Sequence, residues 1–268
     1  MKSRNNNQFS HTSGDEFYTK YETVEGIISM FRDKLKNKTI FCPCDDPSFS
    51  NFIKYLSDNK EKIGYKKLLF NYLQRPIRNI FGEEFPIGDF CGKESIAMLK
   101  ECDVVITNPP FSLTKELLEL IIVYKKDFII LGSSMLLLKR FPKKNFFEKK
   151  IFFVPNYTVR EFYGFDKENN IIPKYAKSLL YTSFKVRKSK QYNFITNMQD
   201  TQYKTFTSCG YEFLNIEHFR YIPEDYYGCC AVSFGSLENI DTEKFDIIDF
   251  IRANDVPGLF ARVIIKRK

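Results

Sequence analysis

Three features of the sequence predict an α/β fold built on a mainly parallel sheet. Short apolar runs at 39–42, 68–70, 103–107 and 128–131 alternate with segments whose apolar residues recur at helical spacing, and the connections are brief. Polar residues that can carry chemistry (Asp45, Asn71, Asp89 and Asn108) stand just past strand ends or in the loops that follow, where such sheets bind ligands. The composition, 268 residues with 43% hydrophobic and 28% charged, suits one soluble globular domain or one domain with an appendage. With 28 Phe and 16 Tyr the chain cannot stay unfolded in water. No run approaches the roughly 18–20 apolar residues of a membrane span, and the polar stretch Met1–Gly14, read as a mobile tail, lacks the apolar centre of a secretory signal.

The elements follow in order. Val24, Ile27, Ile28, Phe31 and Leu35 mark an amphipathic helix from Thr23 to about Lys36. The strand Thr39–Cys42 ends in Pro43-Cys44-Asp45-Asp46-Pro47, after which Ser48 is expected to cap a helix carrying Phe49, Phe52, Ile53 and Leu56. Leu68–Phe70 is the second strand, and a short helix is expected near Ser95–Lys100. Asp103–Thr107 runs directly into Asn108-Pro109-Pro110-Phe111, with Ser112 as the expected cap of a helix bearing Leu113, Leu117, Leu118, Ile121 and Ile122. Beyond about residue 139 the alternation stops, and strands near 150–154, 179–184, 231–234, 245–250 and 262–265 either complete the sheet or form an added element. This divides the chain into a tail (1–14), a core (15–138) and a carboxyl-terminal region (139–268).

The net charge of +8 is unevenly spread. Between Lys139 and Lys190 stand fourteen basic residues against four acidic ones, with twelve aromatics among them, and the remainder is close to neutral. A basic, aromatic-rich segment suits a polyanion that offers phosphates and bases; an AT-rich genome, which inflates Lys, Asn, Phe and Ile throughout, would give the same composition. Seven cysteines, an odd number without zinc-knuckle spacing, read as reduced thiols of a cytoplasmic protein, and no metal is expected. With two histidines, a Ser-His-Asp or Cys-His system is improbable.

Asn108-Pro109-Pro110-Phe111 carries the sharpest chemistry. The lone pair of an exocyclic base amine is delocalised into the ring, so alkylating it requires acceptors that draw its hydrogens out of conjugation. An amide oxygen and a backbone carbonyl supply two. Consecutive prolines stiffen the loop and, lacking N–H groups, leave carbonyls free; the following aromatic offers a face for a base removed from its stack. The tetrapeptide resembles the catalytic motif of S-adenosylmethionine-dependent amino methyltransferases. Gly14-Asp15-Glu16-Phe17-Tyr18-Thr19 resembles their amino-terminal cofactor motif, and Phe41–Pro47 the variant first-strand loop of the EcoRI-type adenine-specific DNA methyltransferases. Pro223–Gly228, Ala231–Phe234 and Ala261–Arg267 are similar to that family's carboxyl-terminal signatures.

The resemblance implies a Rossmann-like methyltransferase core followed by a basic DNA-recognition region. It implies that Asn108 and the Pro109 carbonyl hold the adenine N6 amine, with Pro110 stiffening the loop and Phe111 stacking on the flipped base. S-adenosylmethionine would be held by Phe17, Tyr18, Thr19, Asp45, Asp46, Asn71, Asp89 and Phe90. Two departures stand out: the first-strand loop lacks its usual glycines, and the second strand offers only Asn71 where an acid usually grips the ribose. Lys139, Arg140, Lys143, Lys144, Lys149, Lys150, Arg160 and Arg187 are the expected DNA contacts. Arg160, Asn170 and Arg187 are suited to reading base edges, and a side chain between Leu136 and Phe147 is expected to fill the gap left by the flipped base. The function expected is site-specific adenine N6-methylation of double-stranded DNA by a monomer, paired with a restriction endonuclease without a stable complex or carried on a mobile element. An RNA or protein-glutamine methyltransferase, or a silent DNA-binding protein of the same fold, are the alternatives.

Overall fold

The computed structural model of the chain describes residues 17–71, 77–78, 84–85, 92–165, 170–186, 203–208, 210–253 and 255–268. The expected tail, Asp89, Phe90 and Arg187 lie outside them. The elements are β1 (Tyr18–Thr19), α1 (Tyr21–Leu35), β2 (Thr39–Cys42), α2 (Asn51–Asp58), α3 (Lys60–Ile63), β3 (Lys67–Phe70), the ribbon β4 (Ile77–Arg78) and β5 (Glu84–Phe85), α4 (Lys93–Glu101) and β6 (Val104–Thr107). Then come α5 (Thr114–Val123), β7 (Asp127–Ser133), a 3-10 turn (Ser134–Leu138), α6 (Arg140–Phe147), β8 (Phe152–Phe165) and β9 (Ile171–Thr182). The carboxyl-terminal strands are β10 (Thr205–Ser208), β11 (Tyr211–Ile216), β12 (Cys229–Ser233), β13 (Phe245–Ile251) and β14 (Arg262–Arg267).

Seven strands form one sheet in the order β1-β8-β9-β7-β6-β2-β3. β3, β2, β6 and β7 run parallel, while β9 is antiparallel to both β7 and β8. This is a Rossmann-like arrangement: helical crossovers lead outward on either side of β2, so the chain reverses direction between β2 and β6, and their carboxyl ends open a crevice there. The two-residue period of the strands sorts the core. Ile40, Cys42, Val104, Ile106, Ile129 and Leu131 face α1 and α2, whereas Phe41, Val105, Phe128 and Ile130 face α4 and α5. The buried residues of α1 are the five apolar positions expected from its periodicity.

The late strands divide. β8 and β9 complete the first sheet, and β10–β14 form a second, in the order β10-β11-β12-β14-β13, in which only β11 and β12 are parallel. The second sheet shares a core with the α5 side of the first through Leu136, Leu137, Phe234 and Phe250.

Both expected helix caps are corrected. Asp46 and Pro47 occupy a turn in which the Asp46 side chain accepts from the Ser48 amide, so α2 starts later and Ser50 is its cap, accepting from the Phe52 and Ile53 amides. Phe49 precedes that helix and is exposed. Nor does Ser112 cap α5, because the Pro110 carbonyl closes the turn there by accepting from the Leu113 amide at 2.9 Å and the Thr114 hydroxyl at 3.3 Å.

Candidate active site

Three chain segments meet at the carboxyl ends of β2, β3 and β6. The loop after β2 brings in Asp45, which is only 5% exposed. Its two carboxylate oxygens accept from the Ser50 hydroxyl at 2.6 Å and the Thr107 hydroxyl at 2.5 Å. Its amide donates to the Asn71 carbonyl, and the Asn71 amide donates to that of Cys42, so the end of β3 is laced to the end of β2. Burial pushes the Asp45 carboxyl up to about 6, against the two hydroxyl donors that favour its ionised form. The loop is thus organised around a buried carboxylate, in place of glycines.

Thr107, at the end of β6, is followed directly by Asn108. The Asn108 amide nitrogen donates to the Phe17 carbonyl at 2.5 Å, while its Oδ1 is buried and has no hydrogen-bond partner among the described residues. A carbonyl partner requires a donor, so Phe17 fixes which end of the amide faces it and leaves the oxygen aimed elsewhere. Among the described residues nothing donates to the Pro109 carbonyl, whereas that of Pro110 is spent on the α5 turn. Thr19, on β1, is buried too, and its hydroxyl has no partner among the described residues. The Asn51 side chain at the start of α2 donates to the Thr19 carbonyl at 2.8 Å and holds that segment in place.

Aromatic rings pack round these groups. Phe17 stacks on Phe111 with centroids 5.2 Å apart, Phe162 meets both rings edge-on, and Lys174 stands over the Phe17 ring. Tyr18 stacks on Tyr163 and touches Phe49. Phe111 also borders a cavity of about 300 Å³ shared with Ser112, Ser133, Met135 and Lys139.

A family model described as adenine-specific methyltransferase EcoRI matches residues 5–85 and 74–267. The chain belongs to this family. Members with curated names include the type II methyltransferase M.EcoRI of Escherichia coli, 27% identical over 311 aligned positions that cover 96% of this chain and 94% of that one. The type II methyltransferase M.MgeORF184P of Mycoplasma genitalium is 27% identical over 91% of this chain and 85% of its own. Among solved structures a putative RNA methyltransferase from Pyrococcus horikoshii aligns with 63% of this chain and 87% of its own at 14% identity, with a TM-score of 0.37, too distant a likeness to bear on fold or substrate.

A methyltransferase of this family needs a methyl donor, and the residues at these strand ends fit one. Thr19 Oγ1 is buried without a partner among the described residues, and Asp45 is an acid whose charge burial disfavours. Of the residues expected from sequence, Phe17, Thr19, Asp45, Asn71, Asn108, Pro109 and Phe111 come together here. Tyr18 packs against Tyr163, and the Asp46 carboxylate is used within its own turn. Thr107, Ser50, Asn51 and Phe162 were missed. Thr107 alone carried a signal, as a hydroxyl residue at the last position of a buried strand beside the motif.

The expected DNA contacts sort into two groups. Lys139, Arg140 and Lys149 have no ion pair among the described residues. Lys143 is paired with Asp249 at 2.6 Å, Lys144 and Lys150 with Glu148, and Arg160 with Glu238. No described helix is long and apolar enough to cross a membrane.

Proposed function

We propose that this chain methylates N6 of adenine at a specific site in double-stranded DNA, the reaction of a site-specific adenine-specific DNA methyltransferase, with S-adenosylmethionine as donor. The observation that carries this is the buried Asn108 Oδ1, unpartnered among the described residues, an acceptor held in fixed orientation beside the Pro109 carbonyl and Phe111. When bound, the donor supplies a methyl group already activated on a positive sulfur. Thr19, Asn71 and the Asp45 charge hold it at the strand ends, with Asp89 and Phe90 of the next loop as further contacts. Asn108 Oδ1 and the Pro109 carbonyl accept the two N6 hydrogens, drawing that nitrogen towards sp³ character and exposing its lone pair. Phe111 supports the base where its ring borders the cavity, and Pro110 holds the loop rigid. The pre-set acceptors add nothing to the reorganisation of the reacting state.

Lys139, Arg140 and Lys149 meet the phosphates, and the relatives' names, type II methyltransferase, support a restriction-modification role in which a nuclease shares the site without a stable complex. The five described cysteines are free thiols, in keeping with a reducing, cytoplasmic setting. Neither an RNA nor a protein-glutamine substrate finds support in the family.

Tritiated methyl transfer to duplex DNA, followed by nucleoside analysis, tests the reading. N6-methyladenine is expected as the product, and Asn108→Ala should lower turnover by roughly 100- to 1,000-fold. Label in RNA or protein but not in DNA would overturn the assignment.

A further inference from the structure

Next to the cavity beside Phe111 lies a second, open one of about 660 Å³, bounded by Lys115, Arg140 and Arg252 and by Ala253 and Ala261 of the loop between β13 and β14. Met135 and Lys139 line both. The two adjoin between the catalytic motif and the β13–β14 loop, forming a groove rich in cations with Glu116 as the only acid among the lining residues. Charge of this sign fits a phosphate backbone.

At the junction of the two cavities Met135 is 51% exposed, whereas Leu136, Leu137 and Leu138 after it are 3%, 0% and 9% exposed. Those three leucines belong to the core and cannot leave it. Phe147, the other exposed apolar residue of this stretch, packs on Phe146 and Phe250 at 5.3 and 5.5 Å. The turn that presents Met135 is pinned at both ends. Ser133 Oγ accepts from the Met135 amide, the Tyr181 hydroxyl donates to the Ser133 carbonyl at 3.0 Å, and Arg252 Nε donates to the Leu138 carbonyl at 3.0 Å. Beneath it the chain is packed so closely that a Cβ on Gly132 would stand 3.1 Å from Thr114 and 3.3 Å from Tyr181. A flexible, unbranched apolar side chain is thus held on a rigid support, between a cavity that reaches Phe111 and a cationic groove.

We propose that Met135 enters the duplex where the target adenine leaves it, filling the vacated stack so that the base stays in the pocket. This rests on the reading above that the substrate is adenine in duplex DNA. Unbranched and aliphatic side chains serve as such wedges because they replace stacking contacts without demanding hydrogen bonds, and extruding a paired base is the step that needs the help.

The test begins with long-read mapping of modified bases in cells expressing the chain, which supplies the target sequence. Duplexes are then made with 2-aminopurine at the target adenine, whose fluorescence rises when it unstacks, and with a normal adenine either paired or opposite an abasic site. For Met135→Ala we expect the fluorescence rise to fall at least fivefold and single-turnover methylation of paired adenine at least tenfold. Methylation opposite the abasic site should stay within threefold of wild type, as should duplex affinity. Met135→Leu should retain activity on both. Equal losses on paired and unpaired adenine, or no loss on either, would overturn the role of Met135 while leaving the functional reading intact. A wild type that methylates no adenine in either duplex would overturn that reading itself.

Discussion

Asp45→Asn should make the protein more stable at neutral pH, although it removes a carboxylate that accepts two hydrogen bonds. The structure supplies the magnitude. Burial lifts this carboxyl from its ordinary 3.8 to about 6 in the folded chain. The folded state therefore binds the proton more tightly than the unfolded state, and the stability contributed by the protonated form is complete below about 3.8 and lost as pH rises through about 6. At pH 7.5 the folded chain holds an ionised group at a penalty of about 3 kcal/mol. An amide of the same shape removes that penalty. Its oxygen can still face Ser50 and its NH₂ group the Thr107 oxygen, but the Thr107 hydroxyl loses its acceptor and the Ser50 bond weakens, together costing about 1–2 kcal/mol.

The net expectation is a gain of about 1–2 kcal/mol at pH 7.5, or roughly 2–4 °C in melting temperature for a chain of this size. About half of the ionisation penalty is gone by pH 5, so the melting temperatures of the two proteins should converge near there and reverse order below it. Thermal denaturation followed by circular dichroism at pH 7.5, 6 and 5, without donor, reads this directly. If the variant melts 5 °C or more below wild type at pH 7.5, ionised Asp45 is a net stabilising group and the reasoning fails. The same variant should bind S-adenosylmethionine more weakly, since the strained charge that a cation would relieve is gone.

Thr107→Val, which removes one donor from ionised Asp45, should lower stability by about 1–3 kcal/mol at pH 7.5 and by much less at pH 4, on the same melting assay. Lys143 and Arg140 should behave differently although both belong to the basic segment. Lys143→Met breaks a part-buried ion pair to Asp249 and a bond to the Phe250 carbonyl and should destabilise by about 1–2 kcal/mol in chemical denaturation. Arg140→Gln should leave stability unchanged while reducing the slope of log K for duplex binding against log salt by about 0.9, the loss of one phosphate contact.

The parallel half of the fold was legible because both of its signals are local. α1 buries the residues that its periodicity marks, and every residue of β2 and β6 is buried, so those strands read as unbroken apolar runs. The length of β8 and β9 was not legible. From Ile171 to Ala176 β9 alternates exposed and half-buried residues, with Lys174 and Tyr175 among them, and such a stretch resembles a loop until its partner is known. In the second sheet the pairing of β12 with β14 joins residues far apart in the chain, such as Cys229 with Lys266, which no local pattern encodes. At the site, Asn108 and its neighbours were found because the tetrapeptide carries its own chemistry. Asp45 was found for a different reason from the one that makes it distinctive, since its hydroxyl partners lie five and sixty-two residues away. The Ser48 cap failed because Ser48 and Ser50 both satisfy the composition rule, and only the Asp46 turn decides between them.

Charge counting treated the stretch from Lys139 to Lys150 as one surface, but the structure gives its cations two jobs. Lys143 reaches across to the second sheet, ion-pairing with Asp249 and donating to the Phe250 carbonyl, while Arg252 reaches back to the Leu138 carbonyl. Phe146 and Phe147 pack on Phe250 between them. These contacts fix α6 and the turn before it to the carboxyl-terminal sheet, and that turn is the one that presents Met135 and Lys139 to the cavity beside Phe111. A duplex that touches the second sheet therefore bears on a body rigidly joined to the catalytic loop. The paired cations of this stretch thus hold Lys139 and Arg140, unpaired among the described residues, in place beside the groove.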